Sequence, residues 1–415
     1  MKPLQLPEVN SMPSSKHEYF NARKQARLNI LKLINFIGSI VFFILETLIP
    51  KNKRVLLVLE SEPLFMDNGK HFFLYARQRS EMQTYFFVKS KTLFVELNKQ
   101  YPHEIVYAKS LQALLLFLKS RHVIMAYAVA RNAFFPYYLL RSKKNIIYMG
   151  HGIKLKRLSH QVARYRVNNN RVLLQKYSYT TACSDIERIV DAACFDIWME
   201  NVWITGYPRN DFLLCEDTHK NLDEKFSYLK KRILLYAPTW RELNHSTEFF
   251  PFADYDPKEL NLFLREKDVY LLIRAHKQEL LKSNSGYGSD LYDCDRIVYA
   301  GNDIFPDVSE LLVYTDILIT DYSSIYIDFL LLDRPVMFFC HDLEQYKATN
   351  GLLFDYNSVT PGDKVFSQRE FLESINTYLE NPSIHSDKRQ MITEQFHNFY
   401  DCDASKRIYE NILDL

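Results

Sequence analysis

Four stretches of this sequence put polar groups capable of chemistry directly after apolar runs. The first is Tyr148-Met-Gly-His-Gly-Ile-Lys-Leu-Lys156, where Gly150 and Gly152 flank His151 and Lys154 adds a nearby cation. Paired glycines allow a sharp turn and close approach of a ligand. An imidazole at such a turn titrates near working pH and suits proton transfer; a turn histidine bonded to backbone is the bland alternative. The second is Tyr236-Ala-Pro-Thr-Trp-Arg241. Here Pro238 ends a strand, Thr239 could cap the next element or donate to a phosphate, and Arg241 could clamp an anion through two N–H groups. The third is Leu272-Ile-Arg-Ala-His-Lys277. Arg274 and His276 fall on the same side of an extended chain, a spacing that matches a diphosphate. The fourth is Thr320-Asp-Tyr-Ser-Ser-Ile-Tyr-Ile-Asp328. Ser323 or Ser324 starts a helix whose unpaired N–H groups favour an anion, and Asp328, four residues after Ser324, shares its face and could reach a ligand hydroxyl. An ordinary N-cap and a surface acid are the alternative there.

Other catalytic patterns are missing. The sequence has no GxxxxGK[ST] phosphate loop, no GxSxG nucleophile elbow and no HExxH pair. Acids two apart occur at Asp254/Asp256, Asp293/Asp295 and Asp401/Asp403. None stands clearly after a strand, where a divalent ion would be held, so they read as loop acids and no metal or other cofactor is expected.

The elements that must position these groups are short buried strands. Arg54–Glu60, Tyr85–Val88, His122–Ala126, Asn145–Met149, Val202–Thr205, Ile233–Ala237, Val269–Arg274, Ile317–Thr320 and Val336–Phe339 are apolar, β-branched or aromatic runs. Amphipathic stretches at 110–120, 184–196, 257–267 and 323–332 separate several of them. This alternation predicts an α/β protein with parallel sheets. Two Rossmann-like blocks can be drawn, 50–205 carrying His151 and 206–385 carrying the anion-holding groups. The turn-rich Thr205-Gly-Tyr-Pro-Arg-Asn-Asp211 serves as hinge, and 386–415 is a helical tail. Ligands of such sheets sit beyond the carboxyl ends of the strands, so the site is expected in a cleft between the blocks.

Composition narrows the function further. In 415 residues, 52 Lys+Arg meet 50 Asp+Glu, a net charge of +2, which excludes a general nucleic-acid binder. Ten glycines in the whole chain argue against glycine-rich phosphate loops. Six cysteines at irregular gaps, none in a CxxC pair, predict reduced thiols in a cytosolic protein. No cleavable signal peptide is expected, because the first 28 residues are polar. Residues 1–49 form an amphipathic arm in which Lys16, Arg23, Lys24, Arg27 and Lys32 precede the apolar run Leu33–Leu45. That run is shorter than the ~20 residues needed to span a bilayer. A helix lying on an anionic membrane surface fits it; a helix packed on the protein's own core is the alternative.

Taken together these motifs resemble the CDP-glycerol glycerophosphotransferase family, the teichoic-acid primases and polymerases. The resemblance is carried by His151-Gly152 with Lys154-Leu155-Lys156, Gly206-Tyr-Pro-Arg-Asn-Asp211, Ala237-Pro-Thr-Trp-Arg241, Arg274-Ala-His276, Thr320-Asp-Tyr-Ser-Ser324 with Asp328, and Asp67-Asn68 before an aromatic helix. It covers residues 50–380. The family usually runs His-Gly-Thr-Pro where this chain has His151-Gly152-Ile153-Lys154, so a threonine hydroxyl is lacking at 153.

The resemblance implies a GT-B-like pair of Rossmann domains that moves a polyol phosphate from a CDP-activated donor such as CDP-glycerol to a glycan or lipid-linked acceptor, at the cytoplasmic face of the membrane as a peripheral protein. It implies His151 as general base. It also implies Arg274, His276, Ser323 and Ser324 on the pyrophosphate, Pro238 and Thr239 in the nucleotide pocket, and Asp328 on glycerol or ribose hydroxyls, with Gly152, Arg209 and Arg241 as further substrate contacts. The rival readings are a GT-B nucleotide-sugar transferase, a nucleotide-binding module without catalysis, and a membrane-bound scaffold.

Overall fold

A computed structural model describes residues 38, 40–42, 44–59, 64–126, 143–157, 177–215, 231–239, 249–274 and 294–415. Residues 51–126 and 144–415 of these belong to one compact unit, and residues 38–50 with Lys143 to another.

The larger unit holds two wholly parallel sheets. The first contains β1 (Asn52–Leu59), β2 (Gln83–Val88), β3 (Ile105–Tyr107), β4 (Ser120–Met125), β5 (Asn145–Tyr148), β6 (Tyr179–Ala182) and β7 (Val202–Ile204), in the order 3-2-1-4-5-6-7. The second contains β8 (Arg232–Tyr236), β9 (Val269–Ile273), β10 (Ile297–Tyr299), β11 (Ile317–Thr320), β12 (Val336–Phe338) and β13 (Asp363–Lys364), in the order 10-9-8-11-12-13. In each sheet the chain winds out to one edge and returns to the other side of its first strand. The crevice this reversal opens lies at β1/β4 in one sheet and β8/β11 in the other.

Burial on both faces explains the apolar runs. In β8, Ile233 and Leu235 pack with Leu318 and Phe338 on one face, while Leu234 and Tyr236 pack with Ile319 and Met337 on the other. Each strand expected from the sequence appears within a residue or two. β3, β10 and β13 carry too few residues to make a run, and all three lie at or beside sheet edges. β6 reads Tyr-Thr-Thr-Ala, polar in sequence yet buried between β5 and β7.

The last thirty residues form two helices, Ser386–Phe396 and Ala404–Leu413. The second returns to the first sheet, where Ile408, Tyr409 and Ile412 pack with Leu56, Phe72 and Ile147. Asp211 receives the N–H groups of Ala404 and Ser405, both at 2.8 Å, and so ties this helix to the Gly206–Asp211 turn. None of the six cysteines, all of them among the described residues, is joined in a disulfide.

Residues 1–37, which hold the basic part of the expected arm, lie outside the described residues. Where the arm is described it is helical, and Ile40, Val41, Ile44 and Leu48 are exposed on it. Among the described residues no helix is long and apolar enough to cross a membrane.

Candidate active site

The turn after β5 is built for close approach. Gly150 (φ +72°) and Gly152 (φ +145°) both adopt backbone conformations that side chains disfavour. A methyl group on Gly152 would lie 2.8 Å from Ser324 Oγ and 3.2 Å from Arg209 Nη2. The backbone beside the exposed His151 therefore lies against the serine turn that follows β11, although Gly152 and Ser324 are 172 positions apart in the sequence.

Arg209 fastens this meeting point. Its Nη1 donates to the His151 carbonyl at 2.9 Å and to Asp67 Oδ1 at 3.0 Å, and its Nη2 donates to Asp328 Oδ2 at 2.5 Å. Asn68 extends the grip by donating to the Gly150 carbonyl at 2.9 Å and accepting the Arg209 N–H at 3.2 Å. Burial works against the guanidinium charge, but Asp328 and Asp67 outweigh it and hold its pKa above the ordinary value. Burial pushes Asp328 up to about 6, against the opposing pull of Arg209. Asp328 Oδ1 and Arg209 Nε are buried without a hydrogen-bond partner among the described residues.

In the second sheet the β8/β11 crevice is bridged by Asp321. Its Oδ1 accepts the Thr239 N–H at 2.8 Å, the Thr239 hydroxyl at 2.6 Å and the Tyr322 N–H at 2.6 Å. The donors of Thr239 are thus turned toward Asp321, and Pro238 before it is half-buried. Ser323 Oγ accepts the Ile325 N–H at 3.4 Å, and Ser324 stands at the start of the short helix Ile325–Phe329 without a side-chain cap bond. Arg274 leaves β9 with its Nη1 on the carbonyls of Phe305 (2.8 Å) and Ala300 (3.2 Å) and its Nη2 on that of Pro306 (3.4 Å). Burial lowers its pKa to about 10 despite Asp307, Tyr299 and Glu310 nearby. His276 and Arg241 lie outside the described residues.

Three residues just after His151 have structural posts. Lys154 is buried, donating to Glu187 Oε1 (3.0 Å), Asp191 Oδ2 (3.0 Å) and the Tyr207 hydroxyl (2.9 Å). Its ammonium serves this carboxylate cluster, so the cation expected beside His151 is engaged in the interior instead. Ile153 and Leu155 join the hydrophobic core of the second sheet. The strand-like segment around them bridges to Leu352, with the Leu353 N–H on the Leu155 carbonyl at 2.9 Å. The described paired acids are also engaged. Asp256 caps the helix Pro257–Glu266, Asp254 accepts the N–H groups of Gln368 and Arg369, Asp295 pairs with Arg265, and Asp401 pairs with Arg407.

The sequence reading passed over Lys70, His71 and Asp307, which join the helix Asp67–Ala76 to the second sheet's layer. The run Asp307-Val-Ser-Glu310, an N-cap signature with an acid three residues on, was the available signal.

Residues 40–414 match the sequence model of the CDP-Glycerol:Poly(glycerophosphate) glycerophosphotransferase family. The chain belongs to that family. Among glycerophosphotransferase relatives, the teichoic acid glycerol-phosphate transferase of Staphylococcus aureus is 27% identical over 252 residues, 57% of this chain and 61% of its own length. The teichoic acid ribitol-phosphate polymerase TarL of the same organism is 27% identical over 58% of this chain and 42% of its own length. The chain thus spans under two thirds of the curated relatives it matches. In fold it resembles the wall teichoic acid polymerase TagF, with a TM-score of 0.72 at 20% identity over 97% of this chain and 98% of that one. A TagF variant soaked with CDPG gives 0.73 over 95% and 97%.

Proposed function

We propose that this glycerophosphotransferase-family chain moves glycerol phosphate, or a related polyol phosphate, from its CDP ester to a hydroxyl of a cell-surface glycan or teichoic-acid-like precursor. The observation that carries the reading is the contact of Gly152 with Ser324 and Arg209, which sets the His151 turn against the anion-holding turn after β11. Family membership and the donor named for the TagF soak support the same chemistry.

In this reading the two sheets are the halves of a GT-B-like enzyme, the first taking the acceptor and the second the CDP donor. The acceptor oxygen attacks the donor phosphorus that carries the polyol. An O–P bond forms, the bridging P–O bond breaks, and CMP departs with the electron pair. His151 takes the proton of the acceptor hydroxyl. Arg274, Ser323 and Ser324, joined by His276, offset the charge that grows on the leaving phosphate. Pro238 and Thr239 line the nucleotide pocket, Asp328 meets donor hydroxyls through its unpartnered oxygen, and closure of the halves supplies orientation. The apolar face of Ile40, Val41, Ile44 and Leu48, after the basic segment, supports a peripheral position on an anionic membrane surface, at its cytoplasmic face.

The test is a donor panel of CDP-glycerol, CDP-ribitol and UDP-sugars with mass analysis of the acceptor. CMP release with a polyol-phosphate mass increment is expected. UDP release with a sugar increment, and no CMP, would overturn the assignment.

A further inference from the structure

The helix Asp67–Ala76 touches two places in its first two turns. Asp67 and Asn68 bind Arg209 and the Gly150 carbonyl beside His151. One turn on, Lys70 Nζ donates to Asp307 Oδ2 at 2.8 Å and to Glu310 Oε1 at 3.0 Å, while His71 Nε2 faces Asp307 Oδ2 at 2.9 Å. The His71 ring also packs on Phe212, with centroids 4.9 Å apart. Asp307 is 2% exposed, and its other oxygen accepts the Ser309 N–H at 3.1 Å as the cap of the helix Val308–Tyr314. Burial opposes its charge, but His71 and Lys70 outweigh burial and hold the carboxyl well below its ordinary value.

Two of the three carbonyls that seat Arg274 belong to the residues directly before Asp307, Phe305 and Pro306. A shift of Asp307 therefore reaches the Arg274 guanidinium through one or two peptide units, and peptide planes transmit it stiffly.

Resting on the donor reading above, we propose that Asp307 is a positioning residue: gripped from the first sheet's layer by Lys70 and His71, it sets the carbonyl seat that aims Arg274 at the donor diphosphate. The same helix thereby registers the His151 turn against the diphosphate site. An ion pair that merely holds the halves together would act on stability alone and independently of Arg274.

The test uses the full chain and CDP as probe. Asp307→Asn keeps the helix cap and the side-chain volume, and Lys70→Met removes the charge from the opposite side without touching the cap. Each is expected to weaken CDP binding roughly 10-fold by calorimetry, as loss of a buried charge-assisted contact does. With Arg274→Ala already present, either change should add less than about twofold, since the two act through one contact. Circular dichroism and the unfolding midpoint verify the fold, and Lys70→Met decides if Asp307→Asn does not fold. Wild-type-like CDP affinity in folded variants, or full additivity with Arg274→Ala, overturns the proposal. A wild type that neither binds CDP nor releases CMP overturns the donor reading, and this proposal with it; an active wild type with additive variants overturns this proposal alone.

Discussion

His151 and Arg274 divide the proposed work, and their surroundings make the division testable. His151 is exposed on a turn whose carbonyl, not its ring, is held by Arg209. His151→Ala should cut turnover by about 10²–10⁴-fold while CDP binding survives, measured as CMP release beside calorimetry; wild-type turnover would remove the base assignment. Arg274 is held by three backbone carbonyls. Arg274→Ala should mainly raise the KM for the donor and change kcat less. The two substitutions therefore separate in opposite kinetic terms. Both residues stood out in the sequence because each follows an apolar run. The carbonyl seat of Arg274 did not, since it is made by backbone and leaves no side-chain pattern.

At the level of elements, the segment Ile153–Arg157 links the two sheets. Ile153 lies in an apolar core, so the residue that departs from the family pattern is a packing residue here. Ile153→Thr, which restores that pattern, should cost about 1–3 kcal/mol by burying a hydroxyl without a partner. Urea unfolding reads this, and improved acceptor binding in a fully stable variant would contradict it. Lys154→Ala leaves Glu187 and Asp191 facing each other in the interior. Its stability should drop by about 3–5 kcal/mol, with activity per folded molecule little changed at low temperature. Spacing alone made Lys154 look like a ligand group. Its carboxylate partners sit 33 and 37 residues away, a distance that no local pattern reports.

For the molecule as a whole, buried neutral histidines set an acid limit. His397 faces the Ile327 carbonyl at 3.0 Å, and burial lowers its pKa to about 4; His122 is lowered to about 4 as well, by burial and then by Arg121 and Lys53. A histidine that titrates at 6.5 unfolded but near 4 folded binds fewer protons in the folded state between those values, so acid favours unfolding. For His397 this contributes no more than ~3 kcal/mol, present above pH 6.5 and lost as the pH falls toward 4, with His122 adding to it in the same direction. Urea midpoints measured from pH 7 to 4.5 should fall, and His397→Gln should fall less steeply; an unchanged slope would contradict this. Deleting residues 1–48 should shift the protein from membrane to soluble fractions, and unaltered partitioning would defeat the membrane-surface reading.

The parallel α/β architecture was legible in the order of residues because strands covered on both faces must be apolar along their length, and such runs survive in one dimension. The strand ends carrying His151, Arg274 and Ser323–Asp328 were legible for the same reason. The pairing of Gly152 with Ser324, the hold of Arg209 on His151 and Asp328, the burial of Ile153 and the grip of Lys70 and His71 on Asp307 were not. Each joins residues scores to hundreds of positions apart, and chain order does not encode which loop ends will meet. Only packing of one sheet's layer against the other brings those groups within hydrogen-bond reach, where burial then fixes their charge.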